Sequence, residues 1–386
     1  MRLRRRAAVI FSGGLLVSAA VQTWALGAPG PWTVETAPQP GTVTTQLDAV
    51  SGASGTVWAA GSYNTPTSVR TLILERGDSG WTQQASPNLS GQNELLGIKA
   101  TSTSNAWAVG DHVGNSGRAV LILHYDGASW SVQSAPHSSP ASCGSTGCSY
   151  GLQAVAALSR SDAWAVGFRS CLALQCHVLT LVEHWDGSSW KVQSSPNPGP
   201  LSGFTGVSAW NNSHVWATGT DDNLGKGFIE RWNGSSWKTV TLPTLGKSSS
   251  LDAVSTVSAT SVWAVGQYRP KGSPERTLIL HWNGSSWKRV SSPNRGTHAR
   301  NELNAVKVVS ANDIWAVGSY GGSSALRTLI EHYDGTSWTT VSSPNGNAFG
   351  NELFGVTATR STLAAVGTVF GDADADTVNG LVLHCC

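Results

Sequence analysis

Residues 303–341, LNAVKVVSANDIWAVGSYGGSSALRTLIEHYDGTSWTTV, contain four short stretches that predict β-strands. The stretches are 303–310, 313–318, 327–333 and 338–341, and they are rich in the β-branched and aromatic residues that suit a pleated, half-buried surface. Asp334-Gly335, between the third and fourth stretches, is a hairpin signal. A Ser-Pro-Asn run at 343–345 ends the fourth stretch, because Pro cannot donate to a strand ladder. This segment therefore predicts a four-stranded antiparallel sheet.

The same pattern recurs along the chain, and two positions in it are marked by Trp. One Trp opens the fourth strand of each repeat: Trp32, Trp81, Trp130, Trp190, Trp237, Trp287 and Trp338. Another lies in the second strand: Trp58, Trp107, Trp164, Trp216, Trp263 and Trp315, with Ala364 in the seventh place. The six intervals from Trp32 to Trp338 average 51 residues. Seven repeats of four strands predict an all-β fold, a seven-bladed β-propeller.

The two ends of the repeat region complement each other. Residues 32–35 match a fourth strand but have no preceding strands of their own, and residues 380–384 match a third strand that no fourth strand follows. We therefore expect the N-terminal strand to complete the last blade and close the ring, which would leave no open sheet edge.

The strand order resembles the kelch repeat over residues 31–386, as in the central domain of galactose oxidase. The resemblance rests on the order of three features in each repeat: a strand that ends in Gly, a strand that ends in an aromatic residue and Asp, and then a Trp. The chain has Gly61-Ser62, Gly167-Phe168 and Gly318-Ser319 where kelch repeats have a double Gly. The resemblance implies the propeller architecture. It implies no copper chemistry, since the Cys, Tyr and His set of kelch-like copper oxidases is not found here.

The N-terminus predicts an export signal over residues 1–27, with arginines followed by an apolar stretch and a small-residue exit. An uncleaved membrane anchor is the alternative. Residues 28–386 then form a single propeller domain, secreted or held at the cell surface. The net charge of +2, without a basic run after the signal, argues against nucleic acid as a partner. We expect a monomer.

Four cysteines fall in two loops of the third blade: Cys143, Cys148, Cys171 and Cys176. In an oxidising compartment they predict disulfides, either as two small rings or as cross-links between the loops. They serve either to staple a long loop or to shape a binding surface. The terminal pair Cys385-Cys386 has no explanation beyond a candidate role in intermolecular attachment.

Four polar residues precede the first strands of blades one, two, six and seven: Gln46, Glu94, Glu302 and Glu352. These blades become neighbours once the ring closes, so we predict an acidic arc near the mouth of the central channel that binds a cation or a polyhydroxylated ligand. The alternative is an inherited Asn-Glu-Leu turn whose Glu pairs with an Arg at the start of a third strand: Arg70, Arg118, Arg276 or Arg327.

Asp372, Asp374 and Asp376 alternate in a loop of blade seven, as at the start of a calcium loop. Thr377 stands where such a loop needs Gly, and Leu383 where it needs Glu, so a solvated acidic loop is the alternative. Ca²⁺ is the one cofactor that the sequence suggests.

Five histidines share one position in the third strand: His124, His184, His281, His332 and His384. One copy per blade sets them too far apart to share a ligand, and we expect them to stack beside the Trp residues. The sequence thus predicts an exported binding module for a protein or polysaccharide ligand. The alternatives are a carbohydrate-active hydrolase or lyase that uses the acidic arc, and a structural envelope component.

Overall fold

The computed structural model describes residues 30–115, 117–138, 148–171, 177–322, 325–371 and 377–385. These residues form seven four-stranded antiparallel sheets, the blades of a propeller. The first strands of neighbouring blades contact one another all the way round, blade seven against blade one included, so they surround a central channel. The all-β, seven-bladed prediction is confirmed. The predicted signal, residues 1–27, lies outside the described residues, none of which forms a helix able to cross a bilayer.

The strands follow in chain order. Blade one has β2 (Thr45–Ala53), β3 (Thr56–Asn64), β4 (Val69–Gly77) and β5 (Gly80–Gln84); blade two has β6 (Gln92–Ser102), β7 (Asn105–Gly114), β8 (Gly117–Tyr125) and β9 (Trp130–Val132). Blade three has β10 (Cys148–Ser159), β11 (Asp162–Cys171), β12 (Val178–Trp185) and β13 (Trp190–Val192); blade four has β14 (Ser202–Asn211), β15 (His214–Asp221), β16 (Lys226–Trp232) and β17 (Trp237–Thr239). Blade five has β18 (Ser248–Ser258), β19 (Ser261–Arg269), β20 (Arg276–Trp282) and β21 (Trp287–Val290); blade six has β22 (Arg300–Ser310), β23 (Asp313–Gly322), β24 (Ala325–Tyr333) and β25 (Trp338–Val341). Blade seven has β26 (Gly350–Ala358), β27 (Leu363–Phe370), β28 (Val378–Cys385) and, from the other end of the chain, β1 (Thr33–Val34).

The closing strand pairs as the sequence predicts. Thr33 lies opposite His384 and Val34 opposite Leu383 in an antiparallel register. Beyond the strand, the side chain of Gln39 clamps the backbone of Gly380: its Nε2 donates to the carbonyl at 2.9 Å and its Oε1 accepts the amide at 2.8 Å. Backbone and side-chain hydrogen bonds together hold residues 33–39 against residues 380–384.

The two Trp positions meet between blades. The second-strand Trp of one blade packs edge-on against the fourth-strand Trp of the next, with ring centroids 5.2 to 5.8 Å apart. Edge-to-face contact suits the charge distribution of aromatic rings, and each ring adds a large buried area. Trp32 takes part by packing on Trp315, which ties the closing strand to blade six.

The seam between blades seven and one is built differently, because Ala364 replaces the second-strand Trp. Here Glu35, next to β1, receives hydrogen bonds from Arg76 Nε at 3.1 Å and from Trp81 Nε1 at 2.9 Å. Burial alone would raise the pKa of Glu35, but the bonds from Arg76 and Trp81 outweigh it and lower that pKa. A polar clasp thus replaces a Trp pair at this seam.

Four of the five third-strand histidines stack on the second-strand Trp of their own blade, with centroids 4.0 to 4.2 Å apart. Each also bonds a polar residue at the start of the second strand, for example His184 to Asp162 at 3.0 Å. The structural reading of these histidines is therefore confirmed for blades two, three, five and six.

Candidate functional site

The central channel is lined by the first strand of every blade. Each first strand has a β-bulge directly after a buried Leu or Phe, so the seven strands present equivalent positions at equal heights. We define four levels along the channel. The mouth level is Gln46, Glu94, Gly151, Gly203, Ser250, Glu302 and Glu352; the bulge level is Asp48, Leu96, Gln153, Thr205, Asp252, Asn304 and Phe354. The collar is Val50, Ile98, Val155, Val207, Val254, Val306 and Val356; the lysine level is Ser51, Lys99, Ala156, Ser208, Ser255, Lys307 and Thr357.

The four residues of the predicted acidic arc occupy the mouth level, and their role in binding a ligand stays a prediction. Their place in the strand differs from the expected one. All four lie inside the first strands rather than before them, since β2, β6, β22 and β26 each begin one or two residues earlier. In blades two, six and seven the strand starts early because the buried Asn of the Asn-Glu-Leu turn folds the entering loop back: Asn301 accepts the amide of Arg295 at 2.7 Å and donates to its carbonyl at 3.0 Å. In blade one Thr45 takes the place of the Asn, and its hydroxyl accepts the amide of Gly41 at 3.0 Å. In the Asn-Glu-Leu turn the Asn holds the entering loop and the Leu is buried in the core, so the Glu between them is the residue with no structural role in the turn.

The alternative, in which these glutamates pair with third-strand arginines, is not what the described residues show. Arg118 forms its ion pair with Asp111, at 3.1 Å, rather than with Glu94. Glu302 instead contacts Arg300 at 3.0 Å and the hydroxyl of Ser319 at 2.8 Å.

Glu302 and Glu352 form a close pair on adjacent blades. Asn304 Nδ2 donates to Glu352 Oε1 at 3.2 Å. Burial, together with the charge of Glu302, raises the pKa of Glu352 to about 7, although the bond from Asn304 acts in the opposite direction. At neutral pH Glu352 therefore carries a proton for much of the time and can donate a hydrogen bond.

Asp48 and Asp252 occupy the bulge level on blades one and five. Both are half-buried, with their free surface on the channel. Burial raises the pKa of each to about 7; the charge of Glu94 adds to the effect on Asp48, and that of Glu302 to the effect on Asp252. Asp111 behaves similarly, since burial raises its pKa to about 6 despite the nearby Arg118.

Asp48 and Asp252 line one end of the channel, where the bulge level and the collar enclose about 170 Å³. A cavity of this size is smaller than the roughly 300–1,000 Å³ of typical ligand pockets, so it admits a side-chain end or one sugar unit rather than a bulky ligand. Because crowding and burial keep the carboxyls partly protonated, a cation that enters would restore their charge and be held by it.

The structure describes only some of the residues of the other predicted sites. The backbone of Cys148 lies opposite that of Cys171 in the β10–β11 register, whereas Cys143 and Cys176 lie outside the described residues. The disulfides stay a prediction. Asp372, Asp374 and Asp376 also lie outside the described residues, so the calcium loop stays a prediction. Over the part of the chain that the structure describes, no group of three or more His, Cys, Asp or Glu is placed to hold a metal ion.

Sequence reasoning missed the bulge and lysine levels. Asp48, Asp252, Lys99 and Lys307 look like ordinary strand residues, because Asp follows Leu at only two of the seven bulges and Lys occupies only two of the seven lower positions. Aligning the seven first strands on their buried Leu or Phe would have placed each residue at its height in the channel.

Several solved structures have a similar fold. The chain is similar to YCF48 bound to a D1 peptide, with 14% identity, a TM-score of 0.56, and coverage of 92% of this chain and 95% of that one. It is similar to an ulvan lyase bound to -[GlcA(1-4)Rha3S]-, with 10% identity, a TM-score of 0.56, and coverage of 90% and 95%. It is also similar to the Trypanosoma rangeli sialidase in its covalent intermediate, with 12% identity, a TM-score of 0.52 and coverage of 91% of this chain but 56% of that one.

At these identities the likeness shows the propeller fold alone. No protein-family model and no curated protein matches the sequence. Membership of the kelch class therefore stays a prediction.

Proposed function

We propose that this chain is an exported binding module that captures a protein partner by taking a basic side chain of that partner into the acidic mouth of the channel. The observation that carries the proposal is the excess of carboxyls there. Arg300 and Arg118 partly neutralise Glu302 and Asp111. Asp48 and Asp252 accept hydrogen bonds from Gln46 and Ser250, and within the described structure neither forms an ion pair with Lys or Arg.

A lysine or arginine side chain fits this site in both charge and size. The enclosed volume of about 170 Å³ suits the end of one side chain. Entry of its positive charge lowers the pKa of each carboxyl nearby, so binding releases protons near neutral pH. Among the structural neighbours, YCF48 is seen with a bound peptide, which supports a protein ligand for this architecture.

The proposal is tested with the triple variant Glu94→Gln/Glu302→Gln/Glu352→Gln. Gln is native to this level at Gln46, so the change removes charge and keeps the shape. The matched control is Asp126→Asn/Asp186→Asn/Asp334→Asn, which changes the net charge equally at exposed turns where blades four and five already carry Asn233 and Asn283 with the same hydrogen bonds.

Binding of a library of lysine- and arginine-containing peptides is measured by fluorescence anisotropy. We expect the mouth variant to weaken binding of selected peptides at least tenfold, which corresponds to about 1.4 kcal/mol, and the turn variant to leave it unchanged. Equal weakening in both variants would mean that net charge alone attracts the peptides, and unchanged binding in the mouth variant would overturn the proposal.

A glycan-active enzyme is the second candidate, favoured by the Glu302–Glu352 pair and by the fold shared with a lyase and a sialidase. Glu352, with a pKa of about 7, has the protonation that a general acid needs. However, the charge of Glu302 acts directly on Glu352, which favours a pair packed more closely than the roughly 5–9.5 Å separations of hydrolytic carboxyl pairs. Release of reducing ends from a polysaccharide panel, abolished by Glu352→Gln, would establish this function in place of the first. Binding of neither peptides nor glycans would leave the structural envelope role.

A further inference from the structure

The opposite half of the channel has the reverse charge. Below the collar, a second cavity of about 250 Å³ is lined by the lysine level, and Lys99 and Lys307 are its only charged lining residues among those the structure describes. The two lysines stand on blades two and six, across the channel from each other.

Four of the seven positions at this level have a clear structural role. Ser51, Ser208, Ser255 and Thr357 each accept a backbone N–H from the first strand of the following blade, at 2.8 to 3.2 Å. A small hydroxyl is thus what the fold itself needs at this position. Lys99 and Lys307 replace that hydroxyl with a long charged side chain, and so give up an inter-blade hydrogen bond.

Neither lysine has an evident partner within the described structure. Burial is the sole cause acting on the pKa of Lys99, which it lowers; burial, with the charge of Lys99 added, lowers the pKa of Lys307 to about 8. Both lysines line the same cavity, so the two charges share one space. Two like charges held in a half-buried cavity without an acidic partner are costly unless something neutralises them.

The carboxyls of the mouth do not neutralise them. The bulge level lies three residues away along the strand, about 10 Å at a strand's rise of about 3.3 Å per residue. The collar fills the interval with seven β-branched side chains, which all line the lower cavity and of which all but Val306 also line the upper one. The same side chains belong to or border the cores between blades. The lysines therefore face a separate compartment of the channel.

We propose that this compartment is an anion site, in which Lys99 and Lys307 hold a small oxyanion such as phosphate, sulfate or a carboxylate between them, with hydroxyls of the same level as further donors. The volume leaves room for such an ion with some of its water. The site is independent of the proposed partner at the mouth, because it depends on different residues beyond the collar.

The test uses the variant Lys99→Ser/Lys307→Ser, which installs the residue that blades one, four and five already carry. The matched control is Lys238→Ser/Lys288→Ser, two exposed lysines on fourth strands that give the same change in charge. Binding of inorganic phosphate and sulfate is measured by calorimetry and by the thermal unfolding midpoint, at an ionic strength held constant with NaCl.

We expect wild type and control to bind phosphate or sulfate at the same affinity, and the channel variant to bind at least tenfold more weakly while remaining folded without the anion. If the serine variant does not fold, Lys99→Met/Lys307→Met keeps the aliphatic stems and serves instead. Equal anion binding in the channel variant and the control would overturn the proposal, as would no binding by the wild type. A hexose 6-phosphate that binds more tightly than phosphate would identify the oxyanion as part of a larger molecule, and equal affinity would identify the free ion.

Discussion

Replacing Trp32 by Ala tests ring closure at a single side chain. Trp32 is 4% exposed and packs edge-on against Trp315 at 5.8 Å, in a cluster with Leu353 and Leu383. Truncation of a buried Trp costs about 3–5 kcal/mol, from lost burial and from the cavity that remains. Since native domains are stable by about 5–15 kcal/mol, this one change should remove a large share of the stability.

Val34→Ala is the matched control. Val34 lies two residues further along, in β1, but is 49% exposed, so its truncation should change the free energy of unfolding by about 0.5 kcal/mol or less. Urea unfolding followed by Trp fluorescence measures both variants. A Trp32→Ala variant that unfolds within about 1 kcal/mol of wild type would refute the account of the closing strand, because the side chain could not then be buried against blade six.

Three further predictions concern charge and thiols. Glu35→Gln should lower the free energy of unfolding by about 1.5–3 kcal/mol, the range for hydrogen bonds to a charged group, because Arg76 and Trp81 lose a carboxylate acceptor. The pKa of Glu35 is lowered in the folded state, so the extra stability of the wild type is present above about pH 4.5 and is lost as the pH falls through the folded pKa. An equal difference between wild type and variant at pH 2 and pH 7 would contradict this prediction. Glu352 contributes stability that is fully present below about pH 4.5 and is lost as the pH rises through about 7, so Glu352→Gln should flatten the urea midpoint over that interval, and an unchanged slope would show that another group titrates there. Under non-reducing conditions a thiol assay on the secreted protein should find no free thiol at four positions, Cys143, Cys148, Cys171 and Cys176. Four reactive thiols there would contradict both the disulfides and the export.

The architecture could be predicted because its signals repeat. Trp recurs at two positions per blade, and burial of such large side chains leaves few alternative arrangements. The complementary ends likewise fixed the closing strand, since an orphan fourth strand and a missing one predict a single joint. Repeated residues indicate the structure that all blades share. The Asn of the Asn-Glu-Leu turn is one of these repeated structural residues.

The candidate sites were harder to predict because they depend on where copies differ and on how high each residue stands in the channel. The bulge shifts the alternation of side chains in every first strand. A strict alternation of inward and outward residues therefore does not predict that Asp48 and Lys99 line the channel. The Ser-Pro-Asn run is a second example. The sequence predicts only a strand end there, whereas in blade six Ser343 bonds Thr328 Oγ1 at 2.8 Å and Asn345 accepts the amide of Thr328 at 3.0 Å. Such a clasp joins residues that only the folded sheet brings together.

The joint between Thr33 and His384 spans 351 positions of the chain, and this separation has a kinetic consequence. Loop-closure entropy opposes so distant a contact until the intervening blades have shortened the path between its ends. Blades one to six, whose strands are neighbours in sequence, can assemble as they emerge, whereas the seventh must wait for both termini. A late, slow phase of refolding should therefore report on this joint, and a permuted chain that begins at residue 43, with the old ends linked, should lose it.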